Sequence, residues 1–178
     1  MANKHLSLVN QKIAYAGTLI AMAAALDSLQ SSQRIQQRAL EDGALMHLGL
    51  AYTFYLRELG ENYHLKNVAL IQDVVNLVDV LSQAGKSPAE AEELLHLGSD
   101  SGSWLAQMLR AVRDLSSSPA PEKPQKAFPQ GDNLIAVVDI ASSERDSVDS
   151  SVSGVLLESW VKEFRQLVLR QRETSAEY

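Results

Sequence analysis

Residues 6–26 read LSLVNQKIAYAGTLIAMAAAL, and this stretch decides the fold. Val9, Ile13, Ala16, Ile20 and Ala23 recur at spacings of three and four. That rhythm lays them on one face of a helix, predicted over residues 5–30. The alanine content favours the same state. Lys4 and Lys12, followed by the apolar run 13–26, imitate a secretory signal. The run has 14 residues, too short to cross a bilayer, and Tyr15, Gly17 and Thr18 interrupt it. A buried helix is expected, and no membrane span.

Working outward, a second long helix is predicted over residues 33–60. Leu45, Leu48, Tyr52, Tyr55 and Leu59 make one stripe; Met46, Leu50 and Phe54 make another. Two stripes give a wide apolar surface, which suits a central helix. Gly60 is expected to terminate it. A third helix is predicted over residues 65–83, with Val68, Ile71, Val75 and Val78 in one row and Leu70, Val74, Leu77 and Leu81 in a second. These β-branched residues also form strands, but the length without turn residues favours a helix ending at Gly85. Ser87-Pro88-Ala89-Glu90 has the form of a helix start. Gly98 is expected to stop that helix, and Asp100 or Ser101 to cap the next. The latter carries Trp104, Met108, Ala111 and Leu115 on one face.

Residues 116–129 then hold three consecutive serines and four prolines, a composition that cannot sustain a helix. Residues 134–140 are a lone apolar run without a partner strand, read as a docked extended piece or a short helix. A last helix is predicted over residues 153–172, with Leu157, Trp160, Phe164 and Val168 on one side. Long helices with short turns imply antiparallel neighbours. The fold class that follows is all-α, an antiparallel bundle of five to six helices in a single domain, 1–178. Its expected parts are a main bundle 1–116, a loose connection 117–152 and a returning helix 153–172.

Composition narrows the function. Of 178 residues, 46% are apolar and 21% charged, ordinary for a globular chain. Sixteen basic residues stand against 22 acidic ones, a net charge of −6. Nucleic-acid binding draws on a basic surface, so this balance argues against such a partner. There is no cysteine, which removes disulfides, thiolate zinc sites and cysteine nucleophiles. A cytoplasmic location is expected.

The candidates for chemistry are sparse. Two Glu-x-x-His triplets occur, Glu61 with His64 and Glu93 with His96. That spacing builds di-iron sites in four-helix bundles, but the first helix holds no glutamate to complete the set. No metal and no cofactor are expected. Arg57 and His64 enclose six residues at the end of the second helix. Arginine can hold phosphate charge while histidine exchanges a proton. This pair resembles the arginine-to-histidine signature of the HEPN domains, prokaryotic nucleotide-binding and ribonuclease-like helical domains. The resemblance implies catalytic roles for Arg57 and His64. Glu58, directly after Arg57, would oppose an approaching phosphate. His47 sits on an apolar helix, where a histidine is usually half-buried and satisfied by one partner. Residues 98–103 could cradle an anion, but they lack the lysine and preceding strand of a phosphate loop. Trp160 and Phe164, beside Arg165, are either an interaction surface or core; their helical spacing favours core.

Asn10-Gln11-Lys12, His47-Leu48, Ser103-Trp104-Leu105, Leu134-Ile135 and Trp160 with Phe164-Arg165 together resemble a gammaproteobacterial family known as a domain of unknown function. That resemblance implies a small bacterial helical protein and carries over no catalytic residue. The reading of the whole is a non-catalytic binding or interaction module with a homodimer or protein partner. Its alternative is a HEPN-like ribonuclease or nucleotide-binding domain.

Overall fold

A computed structural model describes residues 4–26, 30–117 and 152–176. Among them are six α-helices and no strand: α1 (Lys4–Ala24), α2 (Ser31–Asn62), α3 (Val74–Gln83), α4 (Ala89–Ser99), α5 (Trp104–Ser116) and α6 (Gly154–Ala176). The fold is the expected all-α bundle. Residues 118–151, including the 134–140 run, lie outside the described residues.

The α1 stripe is buried as its spacing requires: Val9, Ile13, Ala16, Ile20 and Ala23 all face inward, along the length of α2. Contacts between Leu19 and Gly43, Tyr15 and His47, and His5 and Phe54 run in opposite senses along the two helices, so α1 and α2 are an antiparallel pair. The α2 stripe of Leu45, Leu48, Tyr52, Tyr55 and Leu59 faces the centre. The final helix packs against α1, α2 and α5 and completes the core. Its Phe164 ring meets Tyr52, Tyr55 and Trp104, with centroids 6.0–6.5 Å away. These offset and edge-on contacts add to the stabilisation from burial alone.

The predicted third helix needs correction. Residues 65–73 are not helix apart from a short 3-10 turn, Val68–Leu70, and α3 starts at Val74. Two left-handed residues, His64 at φ 56° and Asn67 at φ 58°, turn the chain back after α2. Ile71 is thereby laid against Gly60, where an added Cβ would lie 2.8 Å from its Cδ1. Gly60 is thus a packing site inside α2 and not its terminator. Asp73 then caps α3, accepting from Asn76 N–H at 2.8 Å. The row Val74, Leu77 and Leu81 is buried, whereas Val75 and Leu70 face solvent.

Other boundaries also shift. Gly98 lies within α4, which runs on to Ser99. Ser103, not Asp100 or Ser101, caps α5 by accepting from Ala106 N–H at 3.0 Å. Gly85 does end α3 as expected, at φ 70°. There Lys86 N–H donates to Leu81 and Gly85 N–H to Ser82, both at 2.9 Å. That pairing is a Schellman motif, with glycine in its left-handed position.

Candidate functional site

A polar network lies at one end of the bundle, where the C-terminal halves of α2 and α6 meet the first turns of α1 and α4. Glu58 is 1% exposed, and Arg172 grips both its oxygens: Nε donates to Oε1 at 2.7 Å and Nη2 to Oε2 at 2.8 Å. The Nη1 atom of Arg172 donates to Asn10 Oδ1 at 2.9 Å, so one guanidinium joins α1, α2 and α6. A fork-to-fork pair of this kind satisfies a buried carboxylate geometrically as well as electrically.

One residue earlier, Gln171 is 3% exposed. It accepts from Tyr55 Oη at 2.6 Å and donates to Glu93 Oε2 at 2.7 Å. Arg170 also pairs with Glu93. Tyr63 Oη donates to Glu90 Oε2 at 3.0 Å, and Lys86 donates to the Tyr63 carbonyl. Burial first, then this bond to Glu90, pushes the Tyr63 hydroxyl up to about 12. Burial raises Tyr55 further still, with Glu58 adding to it. These phenols stay protonated and act as donors. A cleft of about 800 Å³ opens beside the group, lined among others by Tyr63, Lys86, Glu90 and Arg170.

Sequence reasoning missed this network. Its signal was present: Glu58 lies three residues beyond Tyr55 on the buried face of α2, and Gln171 continues the Trp160, Phe164, Val168 row. A polar side chain on an apolar stripe implies a buried partner.

The predicted site residues fare differently. Arg57 Nε donates to the Ile71 carbonyl at 3.1 Å, and its guanidinium lies 5.8 Å from the Phe54 ring centre. It therefore anchors the segment that folds back after α2. His64 occupies the left-handed position of a second Schellman motif: Leu65 N–H donates to Gly60 at 2.9 Å and His64 N–H to Glu61 at 3.0 Å. Among the described residues, no hydrogen bond or ion pair joins Arg57 to His64.

Glu61 is held by His5, with Nδ1 2.6 Å from Oε1, while His64 and His96 are exposed. No group of three or more metal-ligating side chains forms among the described residues. Trp160 and Phe164 are 2% and 0% exposed, so they belong to the core; of that trio Arg165 alone reaches solvent. The cause is their spacing, which puts both rings on the face that α6 turns to α2 and α5. His47 is half-buried with a bare Nδ1, and its pKa is lowered by burial and then by Lys12.

A second surface was only partly visible as a stripe. Tyr15 and Met22 lie seven residues apart on the outside of α1, 44% and 51% exposed; Met46 and Leu50 lie four apart on the outside of α2, 46% and 40% exposed. The Tyr15 ring meets His47 edge-on at 5.3 Å, which ties the two sets across the helix pair. No helix among the described residues is long and apolar enough to cross a membrane.

No curated protein and no solved structure matches the chain. A family model matches residues 1–178 in full, and the chain belongs to that family, a family of unknown function designated DUF6586.

Proposed function

We propose that this protein is a non-catalytic interaction module whose binding face is the outside of the α1–α2 pair. One observation carries the reading: Tyr15, Met22, Met46 and Leu50 stand in solvent on two adjacent helices. Single exposed apolar side chains are ordinary, as at Ile35 and Val155, but a group of them on adjoining helices is a mark of a protein contact. Methionine suits the purpose, since it adapts its shape to a partner at little cost. The polar network at the bundle end supports the same reading. Its polar groups are bonded to one another across four helices, which supports a role in assembly of the fold. A bacterial, cytoplasmic setting accompanies the proposal, from the sequence resemblance.

The test is co-purification of the full chain from its own cells, beside Leu50→Glu. A protein partner that accompanies the native chain and is lost with the variant supports the reading. An unchanged set of partners overturns it. The ribonuclease-like alternative draws on Arg57 and His64 sharing the end of α2. Incubation with RNA separates the two: degradation by native protein that disappears in His64→Ala would establish it.

A further inference from the structure

We propose that the outer face of the α1–α2 pair receives an acidic amphipathic helix of a partner protein. This rests on the function proposed above and adds the chemistry of the partner.

The first ground is charge. The chain holds 22 acidic residues and a net charge of −6, yet residues 4–24 and 43–57 contain no aspartate or glutamate. The charged residues there are Lys4, Lys12 and Arg57. Beyond this zone Glu58 is gripped by Arg172 and Glu61 is held by His5. Lys4, Tyr15 and Met22 lie at helical spacings of eleven and seven, on one line along α1. Lys12 lies 5.3 Å from the Tyr15 ring centre, so a cation stands among the exposed apolar side chains. Arg57 is turned to the Ile71 carbonyl and Glu41 and Asp42 directly precede residue 43, so the basic character of the face rests on Lys4 and Lys12 of α1, and a segment with glutamates flanking an apolar stripe complements these lysines and the apolar side chains beside them.

The second ground is shape. Leu19 and Phe54 are half-buried where the two helices meet, less exposed than Tyr15 and Leu50. Gly43 lets the two helices approach closely, with Leu19 Cδ1 3.3 Å from where its Cβ would stand. A third helix would lay anchors at i, i+4 and i+7 along these side chains. A flat anionic bilayer offers the charge but no such row of anchors.

The experiment titrates the full chain with a labelled amphipathic peptide of about 18 residues, five helical turns. It carries a leucine stripe flanked by glutamate, and a twin carries glutamine instead. The glutamate peptide is expected to bind about tenfold more tightly at low salt, with the gap closing as salt rises. Lys4→Gln with Lys12→Gln should bring the two peptides together. Leu50→Glu should remove both; its side chain is exposed, and circular dichroism confirms that the variant folds.

Equal affinity for the two peptides, both lost in Leu50→Glu, overturns the acidic partner while sparing the binding face. Affinity untouched by Leu50→Glu overturns the face itself. Binding to phosphatidylserine vesicles without peptide binding overturns the proposal in favour of a membrane. Sedimentation of the chain alone as a dimer, abolished by Leu50→Glu, overturns it in favour of a second copy.

Discussion

Arg172 closes on Glu58 across 114 residues of sequence, with a nitrogen on each carboxylate oxygen at 2.7 and 2.8 Å. The acid is fully enclosed and the guanidinium nearly so. Removing one member strands the other. Arg172→Ala should destabilise by about 3 kcal/mol, the lower end for a broken buried pair, because water can partly reach the site. The double variant Glu58→Leu with Arg172→Leu should recover much of that loss. Urea unfolding midpoints of the three chains check it.

His64 explains itself as backbone before chemistry. Its φ of 56° is a conformation that costs an L side chain roughly 1 kcal/mol and a glycine almost nothing. His64→Gly should therefore leave stability unchanged or raise it by up to about 1 kcal/mol, while His64→Val lowers it. Thermal unfolding of both variants decides. A sharp loss in His64→Gly would show that the imidazole itself holds the fold.

The faces of α3 predict a contrast between near neighbours. Val75→Asp should cost no more than about 0.5 kcal/mol, because Val75 is 56% exposed. Leu77→Ala, at a fully buried position, should cost about 2–5 kcal/mol. Denaturant titration of the pair measures both. The sequence pattern by itself makes Val75 a core residue, so the experiment also tests the fold-back of residues 65–73.

Two glycines inside helices should respond in opposite directions. Nothing lies within 4 Å of a Cβ added to Gly17, so Gly17→Ala should stabilise by about 0.5–1 kcal/mol through helix propensity. At Gly60 the new methyl would meet Ile71 Cδ1 at 2.8 Å and Val68 Cγ1 at 3.0 Å. Gly60→Ala should destabilise by about 1–3 kcal/mol, as overpacking does. Melting temperatures moving apart in this sense confirm both placements.

His47 predicts a pH dependence. Burial, and then the charge of Lys12, lower its pKa in the folded protein from 6.5. As pH falls below that value the unfolded chain takes up the proton first, which favours unfolding. The contribution of His47 to stability is thus full above pH 6.5 and declines below it. Unfolding midpoints at about pH 7.5 and about pH 5.5 should differ in native protein. The gap should narrow in His47→Gln.

The long periodic helices were legible because one rule governs them. All five residues of the α1 stripe and the central row of α2 face inward as their spacing demands. The stretch after α2 was not, because its apolar run without glycine or proline mimics a helix. Asn67 tolerates the left-handed region, and Asp73 three residues before Asn76 is a capping pair; together they mark the break. A histidine in place of the usual glycine hid the end of α2. The polar network lay beyond reach for another reason. Periodicity shows that Glu58 and Gln171 sit on buried faces, but pairing across more than a hundred residues is a property of three dimensions.

The position of α6 in the chain has a bearing on how the protein is made. A ribosome releases helices α1 to α5 before Trp160, Phe164 and Arg172 emerge. Until then the nascent chain has a gap where its core should close, and Glu58 faces that gap with its carboxylate unanswered. The last helix acts as a keystone, and a chain broken off before it would display greasy walls and a stranded charge, which are the features that chaperones and proteases recognise.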